Sequence, residues 1–114
     1  QIEKLRERAP HQLSSGEKKK VALASILTLE PEIWLMDEPS AGLDPRAVSW
    51  LVDFIQSEGR AGKTIVTATH DLDLVRSIAD KVYVMDESHR IIAQGSVEQI
   101  LDDRSLLLRA NLVR

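Results

Sequence analysis

The sequence contains no cysteine, which excludes a disulfide framework, thiolate metal sites and a cysteine nucleophile, and which suits a reducing cytosol. It also lacks a long hydrophobic run. The longest apolar stretch, Val21 to Leu29, is broken by Ser25 and Thr28 and falls far short of the roughly 20 residues that cross a bilayer. No direct membrane insertion is expected, so any link to a membrane runs through partner proteins. Positive charge is not in excess: 15 Lys and Arg stand against 18 Asp and Glu, for a net charge of −3, and this balance gives no sign of a nucleic-acid partner or a membrane-surface protein. Gln1, Ile2, Glu3, Lys4 and Leu5 form neither a basic nor an apolar leader region. They begin as if in mid-helix, and the expectation is an internal cut in a longer protein. There is no internal repeat and no low-complexity linker.

What is present suits one globular domain: 114 residues, 43% of them apolar. Ser14-Ser15-Gly16-Glu17 is a capping-box start, and a helix is expected from there to about Leu29, where Pro31 stops it. Ile33, Trp34, Leu35 and Met36 form a short continuous apolar run, expected as a strand buried on both faces of a parallel sheet and ended by Asp37 and Glu38. Asp44 followed by Pro45 caps a second helix, with Val48, Leu51, Val52 and Ile55 at helical spacing to about Ser57, and Gly59 and Gly62 in the turn out. Thr64 to Thr69 reads as a second buried strand, and Asp71 caps a helix through Ala79. Lys81 to Met85 and Ile91 to Gln94 read as an antiparallel hairpin around Asp86 to Arg90, ending at Gly95. Ser96 with Gln99 opens a short helix. A helical tail is expected from Arg104 to Arg114, where Leu106, Leu107 and Leu108 need a surface to cover them.

Helices alternating with buried strands imply an α/β fold with a parallel sheet, whose ligands bind beyond the carboxyl ends of the strands. Asp37, Glu38 and His70 fall at such ends. A strand-end aspartate can hold Mg²⁺ through water, since a hard cation that keeps its hydration needs oxygen ligands. The Glu38 carboxylate can accept a proton from an attacking water or orient it. His70 can hydrogen-bond both a phosphate oxygen and that water. The alternatives are a strand-terminating turn, a surface carboxylate and a structural histidine. His11 and His89 lack a comparable context, and the three histidines show no metal-ligand spacing.

Taken in order, four segments carry a family resemblance. Leu13-Ser14-Ser15-Gly16-Glu17 resembles the signature of ABC-type ATPases. Ile33-Trp34-Leu35-Met36-Asp37-Glu38-Pro39 resembles a Walker B strand with its adjoining glutamate. Ser40-Ala41-Gly42-Leu43-Asp44 resembles a D-loop, and Thr69-His70-Asp71 resembles the switch histidine. The likeness runs from Gln12 to Leu101 and includes Gly95-Ser96-Val97-Glu98-Gln99-Ile100-Leu101, similar to importer ATPases. It implies the carboxyl-terminal part of one ATP-binding domain: residues 1–30 as the end of a helical subdomain with the signature helix, 31–101 as the core from Walker B to the switch histidine, and 102–114 as a helical tail.

The resemblance also implies a partial P-loop NTPase fold, a mostly parallel sheet with flanking helices and a carboxyl-terminal antiparallel hairpin. The strand that feeds the Walker A loop, which would lie between the second and third strands here, is missing. Unpaired strand edges then favour oligomerisation, rearrangement or marginal stability. Gly62-Lys63-Thr64 ends like a Walker A motif, but the first glycine's position holds Ser57 and the triplet precedes a strand.

Further implications concern ATP and Mg²⁺: Asp37 holds the metal through water, Glu38 and His70 are catalytic, and Asp44 belongs to the D-loop. Ser14, Ser15, Gly16 and Glu17 would meet the phosphates of a nucleotide held by a second subunit, where outward amides and the helix dipole favour an anion. Ser15 and Glu17 depart from the usual glycine and glutamine. Glu17 adds negative charge, which Lys18, Lys19 and Lys20 would offset unless they form a solvated face. The implied partners are a second ATPase subunit, identical or not, and integral membrane subunits of a transporter, at the cytoplasmic face. Val21 to Leu27 and Pro39 to Pro45 look most like ATPases of cobalt, nickel and vitamin uptake, the energy-coupling-factor type included. The parent is expected to hydrolyse ATP and the chain alone is not. Two alternatives are a non-catalytic interaction fragment and the carboxyl-terminal lobe of a chromosome or DNA-repair ATPase of the SMC class. Against the latter, Gln1 to Ala9 lacks sustained heptads and the chain has no basic stripe.

Overall fold

The computed structural model describes residues 14–113; Leu13, His11 and the residues before them, and Arg114, lie outside the described residues. The described chain divides into two compact units that meet in sequence between Ala68 and Thr69, and each is described by itself.

The first unit begins with helix α1 (Ser15–Leu27), which Ser14 and Glu17 start with the expected capping box. The helix stops two residues short of the sequence expectation. Thr28 turns its hydroxyl back to the Ser25 carbonyl at 2.6 Å, and Glu30 takes a left-handed backbone with φ of 51° just before Pro31. Strand β1 (Ile33–Asp37) and strand β2 (Thr64–Ala68) pair in parallel, Ile33 opposite Thr64 and Asp37 opposite Ala68. Helix α2 (Pro45–Arg60) connects them. Asp44 caps it by accepting from the Ala47 amide at 2.8 Å. The helix runs past Gly59, because the turn that ends it is made at Gly62, with φ of 88°. Gly62-Lys63-Thr64 thus leads from a helix into a strand, the reverse of a phosphate-cradling loop.

The core of this unit contains Leu23, Trp34, Met36, Ala47, Leu51 and Ile55. Trp34 meets Phe54 edge to face, with centroids 5.4 Å apart, and its indole N–H donates to Glu58 at 2.9 Å. One sequence expectation is corrected here. β1 is buried on one face only: Trp34 and Met36 point inward, while Leu35 is 78% exposed and Ile33 and Val66 are exposed beside it. Alternation along a strand sends successive side chains to opposite faces, and among the described residues of this unit α2 packs on one of them. A continuous apolar run does not reveal how many layers cover it.

The second unit holds helix α3 (Leu72–Ile78), strands β3 (Lys81–Met85) and β4 (Ile91–Ser96), and helices α4 (Val97–Leu101) and α5 (Arg104–Arg109). β3 and β4 form the expected antiparallel hairpin, with a bulge between Val84 and Met85. At the turn, the Asp86 carboxylate accepts from the amides of Ser88 and Arg90 at 2.9 and 3.0 Å. His89 supplies a left-handed residue, with φ of 65°. Ser96 and Gln99 make a second capping box. Val84, Ile100, Leu106, Leu107 and Ala110 form the buried cluster, with Val82, Ile92, Ala93, Leu72, Leu112 and Val113 packed on it.

The tail helix is shorter than expected, ending at Arg109, with Asn111 left-handed at φ of 60° beyond it. Leu106 and Leu107 are buried, but Leu108 is 48% exposed. Three consecutive helical residues sweep about 200° around the axis, so one surface cannot cover all three. The described strands form two separate two-stranded sheets, so each strand has one ladder partner and one edge free of it.

Candidate functional site

Seven of the eight residues singled out from the sequence lie in the first unit: Ser14, Ser15, Gly16, Glu17, Asp37, Glu38 and Asp44. The eighth, His70, lies in the second.

Asp37 ends β1 opposite Ala68, with its side chain on the exposed face. Glu38 follows in a left-handed conformation, φ 45°. A non-glycine residue there costs about 1–3 kcal/mol, and a following proline, here Pro39, disfavours the compact backbone further. The surroundings hold it in place. The Glu38 amide donates to the Ala68 carbonyl at 2.7 Å, carrying the parallel ladder one step past the strand, and its carbonyl accepts from the Ala41 amide at 3.2 Å. The chain then turns through a bond from the Leu43 amide to the Ser40 carbonyl, 3.2 Å, and a positive φ of 74° at Gly42. That turn delivers Asp44 to the start of α2. The carboxylate of Asp44 caps α2 directly after that turn.

At α1 the Ser14 hydroxyl accepts from the Glu17 amide at 3.1 Å, and the Glu17 carboxylate accepts from the Ser14 amide at 3.3 Å. The cap occupies those two amides and leaves the first-turn amides of Ser15 and Gly16 directed out of the helix start. It also turns the Glu17 charge back on the helix's own backbone. Of the three lysines that follow, Lys20 lies over the Trp50 ring, Nζ 5.3 Å from its centroid, so it packs against α2. Gly16 approaches α2 so closely that a methyl group there would lie 2.8 Å from the Ala47 Cβ. The structure thus brings the signature-like segment and the capped start of α2 together, and keeps Asp37 and Glu38 adjacent at the end of β1.

His70 is exposed, two residues beyond β2. Its backbone is bracketed by two local bonds: the Asp71 amide donates to the Thr69 hydroxyl at 3.0 Å, and Asp71 accepts from the Leu74 amide at 3.1 Å to start α3. Among the described residues no three His, Asp or Glu side chains gather as a metal site, and no described helix is long and apolar enough to cross a membrane. From the sequence, Trp34 is a strand residue only and Lys20 one of three lysines offsetting Glu17 or lying on a solvated face, while Trp50 and Phe54 were not singled out. The available signals were the spacing of Trp50 and Phe54 by one helical turn and the near-turn spacing of Gly16 and Lys20.

A "Putative ABC transporter ATP-binding protein" of Methanosarcina acetivorans is 50% identical over 113 residues, 99% of this chain and 41% of that protein. A nickel import ATP-binding protein, NikO, of Rhodobacter capsulatus is 47% identical over 109 residues, 93% of this chain and 42% of that protein. Residues 1–76 match the family model described as "AAA domain, putative AbiEii toxin, Type IV TA system". The chain belongs to the ABC transporter ATP-binding family and, through residues 1–76, to that AAA-domain family. The two descriptions differ, one naming transporters and the other a toxin system. The transporter relatives match nearly the whole chain, hairpin and tail included, and carry more weight. Among solved structures, CbiO1 of Clostridium perfringens, part of the ABC transporter complex CbiONQ, superposes with a TM-score of 0.71 at 40% identity, covering 90% of this chain and 41% of that one. The fold is that of an ABC ATPase. The chain spans less than half the length of the relatives it matches.

Proposed function

We propose that this chain is the carboxyl-terminal part of the ATP-hydrolysing subunit of an ABC transporter. Residues 1–30 contribute the end of a helical subdomain, 31–101 the core and 102–114 a helical tail. The observation that carries the reading is Glu38: a carboxylate at the end of a parallel strand, beside Asp37, held in a costly left-handed backbone by a bond to the neighbouring strand. Backbone strain of this kind persists where a side chain must be aimed.

In this reading Glu38 orients the water that attacks the terminal phosphate of ATP and accepts its proton. His70 has the side chain to hydrogen-bond a phosphate oxygen and a water. The exposed carboxylate of Asp37 suits Mg²⁺, a hydrated cation that takes one or two carboxylates from protein and the rest of its ligands from water and phosphate. When bound, the ion neutralises charge on the phosphates. The amides of Ser15 and Gly16, with Ser14 and Glu17 forming the cap beneath them, meet the phosphates of a nucleotide held by a second ATPase subunit. Asp44 fixes the turn that leads from Glu38 to α2. The assembly includes integral membrane subunits and works at the cytoplasmic face of the membrane, and the likeness to NikO supports a metal-ion importer, nickel first. By itself the chain turns over no ATP.

The test is Glu38→Gln in the complete transporter ATPase. Nucleotide binding persists, and hydrolysis falls by about 10²- to 10⁴-fold, the span of a lost general base. Unchanged hydrolysis removes Glu38 from this role. Turnover by the 114-residue chain alone shows that its motifs suffice without a phosphate loop.

A further inference from the structure

Gly16 has two possible reasons to be glycine: to let a phosphate approach the start of α1, or to let the chain's own α2 approach it. The geometry points to the second. A methyl at Gly16 would meet the Ala47 Cβ at 2.8 Å, inside the limit for two carbon atoms. Ala47 is buried, and its amide donates to the Asp44 carboxylate that caps α2. One turn further along each helix a second contact follows. Lys20 lies four residues after Gly16 and Trp50 three after Ala47, and these spacings keep each pair on one helix face. The Lys20 ammonium sits 5.3 Å from the Trp50 ring centroid, within the range of a cation–π attraction. Two contacts a turn apart fix both the separation and the rotation of the helices.

Trp50 itself is anchored. It stacks on Phe54 with centroids 5.4 Å apart and planes 21° apart, and Phe54 meets the buried Trp34 of β1 edge to face. Trp34 is locked by its bond to Glu58 at 2.9 Å, and it lies on the strand that ends in Asp37 and Glu38.

We propose that Gly16 with Ala47, and Lys20 with Trp50, form a positioning clamp that fastens the start of α1 to the start of α2. It holds the outward amides of Ser15 and Gly16 at one distance from the Asp44 turn. These four residues touch no nucleotide through their side chains in this role; they set where the amides are presented. The inference rests on the reading of that helix start as a phosphate contact.

The experiment is a rescue, made in the complete transporter ATPase. Gly16→Ala is expected to raise KM for ATP by about tenfold, an overpacking effect. Adding Ala47→Gly, which removes the opposing methyl, is expected to bring KM back to within about threefold of the Ala47→Gly reference. No rescue shows that glycine at this position serves the phosphate alone and overturns the clamp. An unaltered KM in Gly16→Ala overturns it too. Lys20→Gln should shift the emission of Trp50, obtained by difference from Trp50→Phe, and Lys20→Arg should restore it. An emission that ignores both lysine changes refutes the Lys20–Trp50 half. Because the chain has only two tryptophans, this readout works on the chain itself without turnover. If the transporter proves not to hydrolyse ATP, the emission series and the melting midpoints of Gly16→Ala and its Ala47→Gly rescue still decide the clamp, while the functional reading fails separately.

Discussion

The two units solve the same packing problem with opposite resources. The first joins strands 31 residues apart in register through a 16-residue helix, a non-local pairing whose loop must close before its contacts form. It carries every candidate residue but His70. The second is built from neighbours in sequence, a hairpin and three short helices around one apolar cluster. Its left-handed residues, His89 and Asn111, sit in a hairpin turn and just past a helix, where such residues shape a chain reversal. In the first unit the left-handed Glu38 sits instead at the end of a strand with a carboxylate to aim. Glu30, just before Pro31 in the first unit, is left-handed in the same local way, so on the proposed reading it is Glu38, of the four such residues described, that adds a chemical use to a conformational one.

Among substitutions that leave the fold intact, core truncations give the largest expected effect. Leu51, fully buried on α2, and Leu107, buried in the second cluster, should each cost about 2–5 kcal/mol on replacement by Ala. Hydrogen exchange distinguishes the units: Leu51→Ala should deprotect the β1 and β2 amides and leave β3 and β4 nearly as slow, with the reverse for Leu107→Ala. Uniform loss of protection in both variants would show that the units open together and break the comparison.

Next in size are the helix caps. Asp44→Ala and Ser96→Ala remove one cap from each unit, and each should cost about 1 kcal/mol in chemical denaturation. The comparison sharpens if Asp44→Ala also lowers turnover in the complete ATPase while Ser96→Ala does not, since of the two only Asp44 adjoins the turn after Glu38. The smallest effect belongs to the open face of β1. Leu35→Lys in this chain should shift stability by less than about 0.5 kcal/mol. Met36→Lys, one residue along on the packed face, should prevent cooperative folding, because a buried unpaired charge is not tolerated. Equal damage from both would return the strand to the two-sided burial expected from its apolar run.

Much of this molecule is legible in the chain itself. The capping boxes at Ser14 and Ser96, the Asp44 and Asp71 caps and the Asp86 turn are local chemistry, each satisfied by partners within four residues, and they fix where elements start. The order of the four motifs likewise lies in the sequence, as do the carboxylates and the histidine on which the proposed hydrolysis rests. Helix ends were less legible. Glu30, Gly62 and Asn111 follow helix ends with left-handed backbones, and residue types alone do not fix at which position a helix gives way to such a turn.

Two things were decided only in three dimensions. The run at Ile33 to Met36 does not encode which of its faces is covered, since burial depends on the layer placed against it. The glycine of the signature-like segment looks like room for a ligand, but the nearest atom to that room belongs to Ala47, about thirty residues away. Sequence determines what local bonds can satisfy; which non-local surfaces meet, and so which side chains are free to act, follows from packing alone.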